Sequence, residues 1–177
     1  PTHKGPLGTV ELNIELQRLL QEKLFGFEVP DVEPGHRPHF YRGDKVIQTK
    51  NDYDLAVMNG AMGVVLSAEP NGALMIDFDG RAVETGAGRD ALGNIQLAYA
   101  TSIHKQQGSE FPCAVVIAHK SHSFMHHRNL LYTAVTRARE SVILLGDRWG
   151  IENCASKRQV DRRNTFLSFL LPSEAQR

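Results

Sequence analysis

Two stretches in the second half of the chain follow one pattern, a polar segment and then a short apolar run. The first apolar run covers residues 114–118 and the second covers residues 141–146. Apolar runs of this length, bounded by polar turns, are typical of strands that are covered on both faces of a parallel sheet. The pattern predicts an α/β architecture, in which functional groups gather where loops leave the sheet.

Apolar residues at helical spacing predict a helix near the start of the chain, over residues 9–24. Thr9 suits the N-cap of this helix and Gly26 suits its end. A second amphipathic pattern predicts a helix over residues 128–138, and a third predicts a closing helix over residues 166–171. The face of the first helix that we expect to pack against the core carries Leu12, Leu16, Leu19 and Leu20.

Residues 42–95 have a different pattern, with short apolar runs separated by tight-turn signals. Asn71-Gly72 and Asp79-Gly80 are such signals, because these residues tolerate a positive φ. Short strands joined by tight turns are typical of a small β-barrel or meander, so we interpret residues 42–95 as a β-module inserted into the α/β domain. The predicted strands cover residues 44–49, 63–67, 73–78 and 81–84.

Composition narrows the class of protein. The chain has 177 residues with 20 basic and 20 acidic side chains, so any nucleic-acid-binding surface must be local. Its two cysteines form neither a disulfide framework nor a CxxC metal motif. No apolar run reaches the length of a membrane span and no signal peptide is apparent, so we expect a cytoplasmic location and no membrane partner. The first residue is Pro1 and not Met, and we expect the chain to be part of a longer protein.

Arg137 is the first candidate for chemistry. It stands where the second predicted helix leads into a buried strand, and its rigid, permanently charged fork suits phosphate oxygens. The alternative interpretation is a cation that interacts with the dipole at the C-terminal end of the helix.

The segment from His104 to Glu110 is the second candidate. A run of hydrogen-bond donors ahead of Gly108 suits a loop that touches a polyanion or a sugar, and Glu110 could accept from a ribose hydroxyl. The alternative is a polar loop that Ser109 caps.

Three histidines raise the question of a zinc site. His122 and His126 have i, i+4 spacing and His127 adjoins them, but no third ligand has zinc-site spacing. We therefore expect a solvated loop here and no metal site. The sequence also has no GxxxxGK[ST] phosphate loop, and Gly86-Ala-Gly88 is interpreted as a rim loop.

Four segments together resemble the C-terminal half of superfamily 1 helicases of the RecD type. Residues 99–111 are similar to helicase motif V, and residues 131–139 are similar to motif VI. Residues 1–17 are similar to the motif IV region, and residues 43–60 are similar to the start of the SH3-like insert of these helicases. The resemblance covers nearly the whole chain, and motifs V and VI are its most specific part.

The resemblance implies a fold and a function. Residues 1–41 and 96–177 would form the second RecA-like domain, of the P-loop NTPase type, and residues 42–95 an inserted SH3-like β-barrel. The parent would be an ATP-dependent 5′ to 3′ DNA helicase in repair or recombination. Its partners would be single-stranded DNA, the first RecA-like domain and, in some relatives, other subunits of a nuclease–helicase complex. ATP and Mg²⁺ would be bound mainly by the first domain, so this chain alone is expected not to hydrolyse ATP.

The resemblance also implies a role for individual residues on the nucleotide side of the site. Arg137 matches the arginine of motif VI that acts as an arginine finger on the γ-phosphate. Thr136 would orient the segment that carries this arginine. Gly108 and Glu110 match residues of motif V that lie by the nucleotide sugar.

On the DNA side, the resemblance implies two further groups. Ser102 and His104 match motif V positions that face the single strand. Thr2 and His3 lie in the loop that would grip DNA phosphates in the motif IV region.

Two other functions remain open on the sequence. One is an SH3-like docking module that binds a protein partner and has no motor role. The other is the helicase part of a conjugative relaxase, which has similar motifs. A phosphate loop upstream of Pro1 would indicate a motor, whereas catalytic tyrosines and a histidine cluster there would indicate a relaxase.

Overall fold

The computed structural model describes residues 5–33, 36, 38–86 and 92–158, and these form an α+β arrangement around two separate sheets. The helices within these ranges are α1 (Thr9–Phe25), α2 (Arg128–Val135) and α3 (Arg148–Ser156). Short 3-10 helices cover Ile103–Gln106 and Lys120–Met125. The strands are β1 (Lys45–Gln48), β2 (Met62–Ala68), β3 (Leu74–Phe78), β4 (Arg81–Glu84), β5 (Ile95–Leu97), β6 (Phe111–Ala118) and β7 (Ala138–Gly146).

The first sheet is an antiparallel meander in the order β4-β3-β2-β1-β5. The four predicted strands and their tight turns are confirmed, and Gly72, Asp79 and Gly80 have the positive φ that those turns need. The prediction missed β5, which returns from the far end of the module to pair with β1, Val46 opposite Leu97. Because β5 has only three residues, it carries too short a pattern to stand out in the sequence.

The core of the meander lies on one face of this sheet. Its members are apolar residues at alternating positions, which is the period of a strand with one buried face. Gly63 allows β2 to approach β3 closely, since a Cβ there would lie 2.6 Å from Cγ2 of Ile76 and 2.8 Å from the carbonyl oxygen of Asp77. The buried cluster contains Val46, Val57, Val65, Leu74, Ile76, Phe78, Val83 and Ile95.

The second sheet is the parallel pair β6–β7, with Ala114 opposite Val142 and Ile117 opposite Leu145. Both apolar runs predicted as strands are confirmed, and the two strands pair in parallel. The prediction that both faces are covered is wrong for β7 within the described residues. The apolar side chains from Val142 to Leu145 are 38% to 49% exposed.

The buried face of helix α1 is adjacent to the one expected, and it is polar. Leu19 is 45% exposed, and the other three leucines of the predicted face are only partly buried. The buried side chains are polar and recur every four residues, which places them on one stripe. Gly8, and not Thr9, is the N-cap, while Gly26 ends the helix in the left-handed conformation as predicted. The buried stripe consists of Thr9, Asn13, Gln17 and Gln21.

The segment around Arg137 also differs from the prediction. Helix α2 ends at Val135, Thr136 is its C-cap, and β7 already begins at Ala138, so Arg137 lies in the turn between them. Helix α3 was not predicted, and the helix predicted over 166–171 lies outside the described residues. Across the described part of the chain, no helix is long and apolar enough to cross a membrane.

Candidate functional site

The side chain of Arg137 joins the two segments that the sequence singled out. Its Nε donates to the carbonyl oxygen of Thr133 in the last turn of α2, at 3.1 Å. Its Nη1 donates to the carbonyl oxygen of Ser109, at 3.0 Å, and its Nη2 lies 3.4 Å from Oγ1 of Thr136. The backbone continues the link, since the amide of Phe111 donates to the carbonyl oxygen of Arg137 at 2.8 Å. Arg137 is therefore oriented by carbonyl and hydroxyl oxygens on both segments.

The charge of Arg137 has no carboxylate partner in the part of the chain that the structure describes. Its guanidinium is half-buried, and three of its five N–H donors are engaged by neutral oxygens. A positioned, uncompensated guanidinium suits an anion with spread charge, such as a phosphoryl group.

The loop opposite Arg137 is a tight turn after the first 3-10 helix. Gly108 has φ +91° with open space where a side chain would be, so backbone conformation, and not crowding, favours glycine here. The amide of Ser109 donates to the carbonyl oxygen of Gln106 at 3.2 Å, which turns the Ser109 carbonyl toward Arg137. Gly108 thus directly precedes the residue whose carbonyl oxygen accepts from Arg137.

Glu110 is engaged by a neighbouring arginine. Its Oε2 accepts from Nε of Arg139 at 2.8 Å, and both side chains are exposed. Exposed pairs of this kind contribute about 0.2–1 kcal/mol, so Glu110 is free to exchange this partner for another donor. Thr136 is also exposed, and its hydroxyl donates to the carbonyl oxygen of Thr133 at 3.1 Å.

Ser102 and His104 begin the first 3-10 helix. Ser102 is its N-cap and is half-buried, whereas His104 and the adjacent Lys105 are exposed. Nζ of Lys105 lies 3.3 Å from Oε1 of Gln96 on β5, so this segment adjoins the edge of the β-module. Thr2 and His3, the other two residues expected to contact DNA, lie outside the described residues.

A buried carboxylate ties α1, the β-module and the motif V segment together. The side chain of Asp44 is fully buried and each of its oxygens accepts two hydrogen bonds. Oδ2 accepts from Nε2 of Gln17 and from the amide of Tyr41, at 2.5 and 2.8 Å. Oδ1 accepts from Nε2 of Gln21 and from the hydroxyl of Tyr99, at 2.8 and 2.9 Å. We refer to Asp44, Gln17, Gln21, Tyr41 and Tyr99 as the Asp44 network.

A polar stripe on α1 is the signal in the sequence that points to this network. Asn13, Gln17 and Gln21 stand at i, i+4 and i+8, which is the spacing of one face of a helix. Three amides on one stripe indicate a face that bonds to backbone or carboxylate groups and not to solvent alone. Burial, followed by the charge of Asp44, raises the pKa of Tyr99 above its usual range, so its phenol stays a donor.

The sequence predicted a solvated loop around the histidines at 122, 126 and 127, and this prediction is wrong for His122 and His126. His122 and His126 are buried beside a cavity of about 50 Å³ that Ser102 and Cys154 also line. Nδ1 of His122 and Nε2 of His126 have no hydrogen-bond partner among the described residues. Burial lowers the pKa of both rings. Within the described ranges no three His, Cys, Asp or Glu side chains are grouped to hold a metal ion.

Comparisons with known proteins cover both parts of this site. Residues 97–145, from β5 to β7, match the family of UvrD-like helicase C-terminal domains. Residues 12–78, from α1 to β3, match the SH3 domain of ATP-dependent RecD-like DNA helicases. The chain is 44% identical over 170 residues to the ATP-dependent RecD2 DNA helicase of Deinococcus radiodurans, across 94% of this chain. The chain corresponds to the C-terminal portion of a RecD-type helicase.

The RecD-type match extends to a second group of relatives. The RecBCD enzyme subunit RecD of Mycobacterium tuberculosis is 33% identical over 158 residues, across 88% of this chain. The chain spans only 22% of the Deinococcus protein and 25% of the mycobacterial one.

A solved structure supports the fold of this RecD-type portion. The Pif1 helicase from Bacteroides, in complex with ADP-AlF3 and single-stranded DNA, matches 74% of this chain and 38% of its own. Its TM-score is 0.51 at 20% identity, which bears on the fold alone. This chain therefore shares a mixed α/β fold with part of that protein.

Proposed function

We propose that this chain supplies the second motor domain of an ATP-dependent DNA helicase that moves 5′ to 3′ along single-stranded DNA. Residues 1–41 and 96–177 would form this RecA-like domain, and residues 42–95 an SH3-like barrel inserted into it. The first RecA-like domain of the same protein would bind ATP and Mg²⁺ across a cleft. The name of the mycobacterial relative supports association of the parent protein with other subunits.

The position of Arg137 carries the proposal. Its guanidinium is held by the carbonyl oxygens of Ser109 and Thr133, at 3.0 and 3.1 Å, with no carboxylate to neutralise it among the described residues. An arginine finger needs this combination, because it must be oriented beforehand and keep its charge available for the phosphoryl oxygens. A cation that only complements a helix dipole would not need bonds to a second segment.

The neighbours of Arg137 support a nucleotide at this side of the domain. Gly108 and Glu110 flank Ser109, whose carbonyl oxygen accepts from the arginine, so both belong to the segment next to its guanidinium. Glu110 would exchange its exposed bond with Arg139 for a sugar hydroxyl, and Thr136 would steady the turn that carries Arg137. Mg²⁺ would neutralise phosphate charge when bound by the other domain.

Contacts to single-stranded DNA are assigned to the other end of the motif V segment. Ser102 and His104 are at the start of the 3-10 helix, and the exposed Lys105 adds a positive charge next to them. Thr2 and His3 would contact phosphates from the motif IV region. One short segment would thus connect the DNA to the residues beside the nucleotide.

The test is the variant Arg137→Ala in the full-length helicase that contains this chain. We expect DNA-stimulated ATP hydrolysis to fall by roughly 10³-fold or more, as for the loss of other arginine fingers. Single-strand binding, measured by fluorescence anisotropy without nucleotide, should stay within about twofold of wild type, because the guanidinium of Arg137 bonds to Ser109 and Thr133 and is not among the residues proposed to contact DNA.

Two further variants make the result specific. Arg137→Lys keeps the charge but loses the planar fork, and it should not restore turnover. Arg148→Ala removes an exposed arginine whose side chain, among the described residues, bonds only within α3, to Glu152 at 2.8 Å, and it should leave turnover unchanged. Turnover of Arg137→Ala near the wild-type rate would refute the assignment.

A further inference from the structure

The side chain of Asn13 in α1 bonds to both backbone groups, the N–H and the carbonyl, of Ala100 in the motif V segment. Nδ2 of Asn13 donates to the carbonyl oxygen of Ala100 at 2.8 Å, and the amide of Ala100 donates to Oδ1 of Asn13 at 2.9 Å. The side-chain amide thus pairs with Ala100 as a neighbouring strand would. This pair joins residues 87 positions apart, and Asn13 is buried.

The location of Ala100 gives this pair its significance. Ala100 is two residues before Ser102, which begins the segment proposed to contact single-stranded DNA. Asn13, Ala100, Ser102 and Lys105 line one surface depression next to β5. The bond of Asn13 therefore fixes the backbone at the entry of the DNA-contacting segment, while the side chain itself stays buried behind it.

Asn13 is in turn held by the rest of its helix. Gln17 is one turn further along α1 and Gln21 is two turns further, and both donate to the fully buried carboxylate of Asp44. Nε2 of Gln17 also donates to the carbonyl oxygen of His39, and Nε2 of Gln21 to that of Arg42. Because each amide nitrogen serves a carbonyl and the carboxylate, neither side chain can flip without losing both bonds. The rotation of α1 that presents Asn13 to Ala100 is thereby fixed.

We propose that Asn13 is a positioning residue for DNA binding, which acts through Ala100 to hold Ser102 and His104 in the orientation that binds single-stranded DNA. The inference rests on the proposed function, because it assigns a role within that same DNA-contacting segment. Asn13 does not touch the nucleic acid. Its role is to reduce the freedom that the segment must lose on binding.

The experiment uses the full-length helicase and measures ATP hydrolysis against the concentration of oligothymidylate. For Asn13→Ala we expect the KM for oligothymidylate to rise roughly tenfold, which corresponds to about 1.4 kcal/mol, because both hydrogen bonds that position Ala100 are lost. The kcat at saturating oligothymidylate should stay within about twofold, because bound DNA restores the orientation. Glu22→Ala is the matched control, since Glu22 is an exposed residue on the same helix.

A second measurement separates positioning from a loss of stability. Ser102→Ala alone should raise the KM, but in the Asn13→Ala background it should add little, because the segment is already misplaced. Asn13→Asp has nearly the same shape and serves if Asn13→Ala does not fold. Its second oxygen would face the carbonyl oxygen of Ala100, so its KM should rise at least as much.

The outcomes distinguish the two proposals. If wild-type hydrolysis is not stimulated by oligothymidylate, the proposed function fails and this inference fails with it. If the wild type is stimulated but the variants at Asn13 keep its KM, or change it only as Glu22→Ala does, only this inference is overturned. Additive effects of the Asn13 and Ser102 variants would also overturn it.

Discussion

The hydroxyl of Tyr99 donates to the buried carboxylate of Asp44 at 2.9 Å, across 55 residues of sequence. This bond joins the first residue of the motif V segment to the start of the β-module. Because the same carboxylate also accepts from Gln17 and Gln21 of α1, three separated parts of the chain meet at one acidic group. The Asp44 network therefore lies where α1, the start of the β-module and Tyr99 meet, and Asp44 is not a member of the apolar core of the meander.

Asp44→Asn should destabilise the chain although it hardly changes the shape of the side chain. The amide nitrogen would replace one of two oxygens that each accept two hydrogen bonds, leaving donors unpaired in a buried place. Two donors lose their partner, at roughly 1–3 kcal/mol each, so we expect the free energy of unfolding to fall by about 2–6 kcal/mol. Urea unfolding followed by circular dichroism measures this.

The matched control for that variant is Asp54→Asn. Asp54 is an exposed carboxylate in the loop between β1 and β2, so its neutralisation should change the free energy of unfolding by less than about 0.5 kcal/mol. Equal stability of the Asp44 and Asp54 variants would show that the network does not stabilise the junction.

Acid should weaken the region of α2 and α3 through His122 and His126. Burial lowers the pKa of both rings from the usual 6.5, so the unfolded chain binds protons more readily than the folded one. The free energy of unfolding is therefore at its full value above pH 6.5. It decreases as the pH falls from 6.5 toward the lowered pKa values that the two histidines have in the folded chain. The tilted contact of His126 with Trp149, whose ring centroids are 6.4 Å apart, provides a local fluorescence signal.

The double variant His122→Gln with His126→Gln tests this assignment. Glutamine is neutral throughout this range, so the free energy of unfolding of the double variant should change less between pH 7 and pH 5 than that of the wild type. This pH range is chosen because the ordinary pKa of histidine is near 6.5. His39→Gln replaces an exposed histidine and should keep the wild-type dependence. A pH dependence that is unchanged in the double variant would assign the effect to other groups.

The chain by itself should not turn over ATP. The 177-residue sequence has no GxxxxGK[ST] loop to cradle the phosphates, and an arginine finger alone supplies no binding site for them. A phosphate-release assay with the purified chain and oligothymidylate should give the rate of the buffer alone. Clear turnover that survives further purification would contradict the interpretation of this chain as one side of a composite site.

The β-module was largely predictable because its signals are local. Turn pairs such as Asn71-Gly72 determine where strands end, and alternation of apolar residues determines which face is buried. The parallel strands β6 and β7 were predictable for the same reason, as uninterrupted apolar runs. The exposure of β7 was not, because it depends on what else lies beside the strand.

Helix α1 shows the limit of pattern reasoning. Its leucines predicted the buried face, yet the bonding partners of its amides come from Asp44 and Ala100, far along the chain. A polar stripe becomes the inner face only once those partners are in place, which no local rule can anticipate. In the same way, the motif resemblance pointed to Arg137, but not to the carbonyl of Ser109 that orients it.

The strands of the two sheets become available at different times during synthesis of the chain. Every strand of the meander lies between Lys45 and Leu97, so its core can close once that segment is available. The pair β6–β7 forms later along the chain, and β7 still leaves its apolar side chains open to water. The meander is therefore suited to fold first during synthesis and to give α1 and Tyr99 a finished surface, against which the motor segment is then assembled.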